Sequence, residues 1–285
     1  MIRNCIYFLI AISSGLFIAS IVIYQTAPVE NLRQVIAYTP PGKSSTREVG
    51  LAKADNLTLA DMPMELIWAV IASEDNEFWR HDGIRPRRIY DNIIGYFDGT
   101  YPILKGGSTI TQQLAKNIFT GSQRSLYRKY VEFIYAIKLE QTFTKEEIFT
   151  LYVNIVQLGP ELYGFKDAAH MYFNKPVSRL TYGESVALVM MLPSPMTYYP
   201  ALQSDMLDPR FRIRMIYLVN KMLNYYQVFV PFGQLSRYEK EHIFSYYMQQ
   251  KGRQVCLSQL TYDKRSGWIE NIIAQFEKEH YAPQE

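Results

Sequence analysis

Twenty consecutive residues without a charge, Cys5 to Tyr24 (CIYFLIAISSGLFIASIVIY), constrain this chain more than any other stretch in it. At about 1.5 Å of rise per residue, a helix of that length spans a hydrocarbon core of about 30 Å. Lipid leaves an isolated backbone segment no other way to satisfy its N–H and C=O groups. The stretch therefore predicts a transmembrane helix within residues 1–25. A cleaved leader is the competing reading. Its apolar run would be unusually long, however, and the Gln25-Thr26-Ala27 exit places no small residue at the minus-three position. The expected topology has a single span and leaves the body of the chain outside the cytoplasm.

Past that segment the chain has the means to build a core, since 48% of its 285 residues are hydrophobic. A net charge of +3 with 20% charged residues is too mild for a nucleic-acid partner, which demands a dense basic face. The two cysteines, Cys5 and Cys256, match no metal-ligand spacing. Aromatic usage is heavy, with 23 Tyr and 15 Phe, and apolar rings with a polar tip suit a membrane interface. Residues 26–60 hold Pro28, the Pro40-Pro41-Gly42 turn and a Ser/Thr run at Ser44 to Thr46, and read as a stalk.

Three polar clusters follow. Asp61 and Pro63 start a helix whose Leu66, Ile67, Val70 and Ile71 recur at helical spacing, and it ends where Glu74-Asp75-Asn76-Glu77-Phe78-Trp79-Arg80-His81-Asp82-Gly83 begins. Glu74 then stands at a helix C-terminus, where the dipole disfavours a second negative charge, a setting that suits a general base. The second cluster is GGSTITQQLAKN, Gly106 to Asn117. Ser108 is placed to cap the helix after the Gly-Gly pair, and Thr109, Gln113 and Lys116 fall on one face with Ile110, Leu114 and Ile118 on the other. The third, Arg128-Lys129-Tyr130-Val131-Glu132, puts a guanidinium and a carboxylate one turn apart. Spacing alone leaves a bland reading open for each cluster: a solvated helix end, a solvent-facing stripe and a surface ion pair. The sharper reading has the cations neutralising a phosphate while the carboxylates do sugar chemistry.

In sequence these clusters resemble glycosyltransferase family 51, the peptidoglycan glycosyltransferases. EDNEFWRHDG is similar to that family's EDxxFxxHxG motif, GGSTITQQLAKN to its second motif and RKYVE to its RKxxE motif. Lys145 to Phe173 resembles the fourth motif, and LVMMLPSP, Leu188 to Pro195, the fifth. The single anchor and the QLGPELYG variant most resemble the monofunctional biosynthetic transglycosylases, and neither Ser-x-x-Lys nor Lys-Thr-Gly occurs in these residues. Arg85, where the family commonly has an acidic residue, and Gln157, where Tyr is frequent, depart from the pattern.

The resemblance implies polymerisation of lipid II into β-1,4 glycan with inversion and release of undecaprenyl pyrophosphate. It makes Glu74 the general base and Glu132 the second essential carboxylate. Lys116, Arg128 and Lys129 would hold the pyrophosphate, and Asp75, Phe78, His81, Thr109, Gln113 and Asn117 would line or brace the cleft. It implies no required cofactor and leaves a divalent cation open. The expected fold is mainly α, with a lysozyme-like helical lobe, a smaller membrane-proximal lobe and a cleft between them. Capping boxes at Thr144-x-x-Glu147 and Thr181-x-x-Glu184 open two of its helices, and Pro193 and Pro195 close the second. Apolar residues of the Ile84 to Leu104 segment, Ile89, Tyr90, Ile93, Ile94, Tyr96 and Phe97 among them, either dip into the bilayer or belong to a mobile loop or the plain core.

The catalytic domain is expected at 61–200. A helical extension at 201–285, with helices at Phe211 to Tyr226 and Trp268 to Tyr281, either packs on the core or docks another wall-synthesis protein. The partners expected are lipid II, the growing glycan and the bacterial inner membrane. A membrane-anchored lytic enzyme of lysozyme type and a silent scaffold are the alternatives.

Overall fold

The computed structural model describes residues 14–15, 17–99, 107–121, 123, 125–203 and 218. Most of the expected span (residues 1–13 and Leu16), residues 101–104 and Gly106, and the tail helices except for Leu218 lie outside the described residues. Among the described residues no helix is long and apolar enough to cross a membrane.

The protein is mainly helical, and its chain divides into two compact units, residues 1–56 with 81–152 and residues 57–80 with 153–285. In the first unit, residues 17–26 are helical and a 3-10 turn covers Val29–Arg33. The strands β1 (Ile36–Tyr38) and β2 (Arg47–Val49) pair antiparallel, with Ala37 opposite Glu48. The segment that reads as a stalk is thus folded, with Val29, Leu32 and Val49 buried. Its Pro40-Pro41-Gly42 turn, Gly42 at a φ of 76°, lies in the loop between the two strands. Composition marks a turn but cannot tell a hairpin loop from a linker.

The unit continues through α2 (Pro86–Phe97), α3 (Ile110–Ala115) and α4 (Leu126–Thr142). A π-helical turn, Lys116–Thr120, runs directly on from α3. Helix α4 is the spine. Leu139, Ala136 and Ile134 are buried, and α3 packs against this helix. The N-terminal segment is laid along the same helix by polar bonds: Ser20 shares one with Tyr130, Tyr24 donates to Gln141, and buried Lys138 donates to the Ala27 carbonyl at 2.6 Å. Lys138 also pairs with Glu30 at 3.1 Å.

In the second unit α1 (Met64–Glu74), buried along nearly its whole length, packs against α7 (Tyr182–Met191), which is as apolar. Helix α5 (Lys145–Ile155) carries the chain from the first unit into the second. The QLGPELYG stretch makes a minimal hairpin there, β3 (Gln157–Gly159) with β4 (Leu162–Tyr163). Gly164 ends it at a φ of 79°, and a Cβ would stand 2.7 Å from the Asn154 carbonyl oxygen, so only glycine fits. Helix α6 (Phe165–Phe173) follows.

Both capping boxes form: Thr144 N and Thr181 N donate to Glu147 and Glu184 at 2.8 and 2.9 Å, and the two threonine hydroxyls accept in return. The proline pair is divided in its role. Pro193 follows the end of α7, whereas Pro195 opens α8 (Pro195–Gln203), since a first-turn position has no N–H to lose.

Candidate active site

In the second unit, Glu74 is the last residue of α1, half-buried, and its carboxylate accepts from Ser73 Oγ at 2.8 Å. Asp75 leaves helical geometry, at φ −157° and ψ 78°, and is 1% exposed. Its carbonyl accepts from Phe78 N at 2.9 Å, which starts a run of turns rather than a helical continuation. Phe78 is fully buried with its ring edge-on to Trp79, centroids 5.0 Å apart. The first cluster therefore turns about a buried aromatic, with Glu74 and Asp75 set by the end of α1.

In the first unit, His81 Nδ1 accepts from Gly83 N at 3.1 Å, so its Nε2 carries the proton in the neutral ring. Gly83, at a φ of 84°, lies against α4: a Cβ would stand 2.8 Å from the Ala136 carbonyl oxygen. Thr109 Oγ1 donates to the Gly83 carbonyl at 2.6 Å and accepts from Gln112 N at 3.1 Å, while Gln112 Oε1 accepts from Thr109 N. Thr109, not Ser108, is therefore the N-cap of α3, which frees Ser108 Oγ to accept from Lys129 Nζ at 2.8 Å. The shift has a plain cause. Both hydroxyls can cap a helix, and the one that also reaches a buried carbonyl is held inside.

Thr109 is thus a buried brace rather than part of an open stripe. Gln113 lies one turn on and accepts from Tyr152 OH at 3.2 Å. Lys116 and Asn117 are half-buried on the π-helical turn, whose wider winding re-phases the face expected from a 3.6 period. Ile118 is accordingly less buried than Ile110 and Leu114.

The third cluster is the tightest. Glu132 is 1% exposed and receives Arg128 Nη1 at 2.8 Å together with Lys129 Nζ, one turn earlier on α4. Two cations on one buried carboxylate leave a net positive group, which a guanidinium fork and an ammonium can offer to phosphate oxygens. Lys129 also lies over the Phe133 ring at 5.3 Å. Sequence patterns do not single out Thr111, Glu140 and Lys145, which tie α3 and α5 to α4: Glu140 Oε1 accepts from Thr111 Oγ1 at 2.5 Å and from Lys145 Nζ at 2.7 Å. Only a fold could reveal that link. Burial pushes the Tyr135 hydroxyl up, with the nearby Tyr127 adding to it. Among the described residues no group of three or more His, Cys, Asp or Glu side chains is arranged to hold a metal ion.

Residues 43–223 match the family model described as Transglycosylase. The chain belongs to that family, glycosyltransferase family 51. The chain is similar to penicillin-binding protein 1A of Aquifex aeolicus (strain VF5), 38% identical over 200 residues that make up 67% of this chain and 27% of the relative. It is also similar to penicillin-binding protein 1A of Neisseria flavescens, 39% identical over 163 residues covering 57% of this chain and 20% of the relative. The Neisseria gonorrhoeae protein of that name is 38% identical over 166 residues, 58% of this chain and 20% of the relative. The chain therefore spans about a quarter or less of the length of the relatives it matches.

Proposed function

We propose that this chain is a transglycosylase that polymerises lipid II into β-1,4 glycan strands. The observation that carries the reading is the buried Glu132 clamped by Arg128 and Lys129, at the RKxxE position of a family 51 chain. A net positive, partly desolvated cluster suits a reaction whose leaving group is a pyrophosphate, because charge develops there in the transition state. Lys116, Arg128 and Lys129 receive that group, and Glu132 fixes the two α4 cations. Glu74 takes the proton of the acceptor 4-hydroxyl as its oxygen bonds to the donor anomeric carbon. The bond from that carbon to the phosphate oxygen breaks, its electron pair leaves with undecaprenyl pyrophosphate, and one displacement inverts the centre. Asp75, Phe78 and His81 shape the turn after Glu74, while Thr109, Gln113 and Asn117 set α3 and its π turn.

The setting proposed is a bacterial inner membrane. Residues 1–25 span it once, residues 26–60 join the anchor to a catalytic body at 61–200 with a lysozyme-like lobe, and the body lies on the extracytoplasmic side. The exposed Tyr90, Ile94, Tyr96 and Phe97 of α2 give this body an apolar face for the bilayer beside a lipid-linked substrate. The chain carries out no transpeptidation, and 201–285 is a helical extension that either packs on the core or docks another wall-synthesis protein.

Purified full chain given lipid II, with and without a divalent cation, should make long glycan, and Glu74→Gln should abolish it. Robust polymerisation by Glu74→Gln would remove the base role. Glycan release from sacculi without lipid II would replace the reading with a lytic one.

A further inference from the structure

We propose that Arg88 and Asn92 of α2 complete, with Ser108 and Lys129, an anion subsite over Gly107 that takes the pyrophosphate of the lipid-linked sugar. The identity of the ligand rests on the function proposed above; the subsite itself rests on geometry. Helix α2 has two faces. Tyr90, Ile94 and Phe97 are exposed at helical spacing, and Phe97 is 80% exposed. Arg88 and Asn92, one turn apart, point the other way, toward the loop that leads into α3. A Cβ at Gly107 would stand 3.0 Å from Asn92 Nδ2 and 3.8 Å from Arg88 Nε. A side chain there would fill the space through which a guanidinium and an amide approach the loop backbone. Its glycine is explained by this approach, since its φ is not positive.

The next residue along the loop is Ser108, whose hydroxyl holds Lys129 Nζ at 2.8 Å. Helices α2 and α4 therefore bring one cation each to two adjacent loop residues. Their states differ. Lys129 shares Glu132 with Arg128, so those three side chains carry one net positive charge between them. Arg88 is half-buried, and among the described residues it has neither an ion pair nor a hydrogen bond. A pyrophosphate linking a lipid to a sugar carries two negative charges and gains another when the sugar leaves. The α4 cluster alone does not balance it; Lys116 adds a charge from the far end of α3, and Arg88 adds one beside Gly107 and Ser108. A planar guanidinium whose donors engage none of the described residues, beside an amide NH2, is suited to two phosphate oxygens at once.

The test uses the full chain in detergent and inorganic pyrophosphate as the probe, titrated at low salt by calorimetry. Wild type should bind, Arg88→Gln should bind about tenfold more weakly, as loss of a charged hydrogen bond predicts, and Arg88→Lys should recover part of the loss. Equal binding by wild type and Arg88→Gln, or no binding by wild type, overturns the subsite. With lipid II, Arg88→Gln should raise KM and lower kcat/KM while far-UV circular dichroism stays unchanged. A wild type that binds pyrophosphate through Arg88 but makes no glycan would sink the proposed function and leave the anion subsite standing. Normal polymerisation with an unchanged KM in Arg88→Gln would sink the subsite alone.

Discussion

Replacing Glu132 by glutamine tests the site at its most constrained point. The substitution keeps volume and one acceptor oxygen but removes the charge that Arg128 and Lys129 share. Each ion pair amounts to about 4 kcal/mol of gross attraction at an effective dielectric of about 20. Much of that is offset by the desolvation of a side chain only 2% exposed. Removing one partner is another matter, because two cations then remain in a confined space without their counter-charge, and breaking a buried pair costs about 3–5 kcal/mol. Arg128 and Lys129 keep 18% and 33% of their side chains in water, which screens part of that loss. We expect about 2–3 kcal/mol, a fall in Tm of about 4–12 °C for a domain of this size.

The assay is thermal unfolding in detergent of wild type, Glu132→Gln, Arg128→Gln and the double variant. The double variant should be less destabilised than the sum of the singles by at least about 1 kcal/mol. Should Glu132→Gln unfold within about 1 °C of wild type, with additive effects, the clamp carries no stabilising charge pair and the reasoning fails.

Three other outcomes follow from the packing. Thr109→Val removes both the α3 cap and the bond to the Gly83 carbonyl and should cost about 1–3 kcal/mol in urea unfolding, with Thr109→Ser close to wild type. Gly83→Ala must move main chain, since the new Cβ would stand 2.8 Å from the Ala136 oxygen; we expect a loss of about 1–3 kcal/mol, and an unchanged Tm would contradict the placement of Gly83 against α4. Burial first, and Tyr199 second, raise the Tyr172 hydroxyl above its ordinary 10.0, and it donates to the Leu158 carbonyl at 2.9 Å. A proton held more tightly in the folded state contributes stability that is complete below pH 10 and lost as the pH climbs toward the raised value; Tyr172→Phe should flatten that alkaline loss, as unfolding from pH 8 to 11 would record.

By itself, the sequence determined what is settled within one or two turns of chain. The Thr144/Glu147 and Thr181/Glu184 boxes, the end of α1 at Glu74 and the one-turn spacing of Arg128 from Glu132 are local, and each formed where its residues stand. The order of the motifs likewise identified the family, because a motif is a property of the string.

Tertiary structure decided which polar groups are spent on whom. Ser108 and Thr109 are equivalent capping residues on paper; only the fold gives Thr109 the Gly83 carbonyl, 26 residues back, and Ser108 the Lys129 ammonium, 21 residues on. Lys138 looks like one more surface lysine until the Ala27 carbonyl, 111 residues away, accepts its hydrogen bond in a buried place. The stalk became a hairpin and the polar stripe was re-phased by a π-helical turn. Such partners are chosen by desolvation, which acts between segments that chain order keeps apart. The same physics leaves Arg88 beside Gly107, a neighbour that no spacing in the sequence indicates.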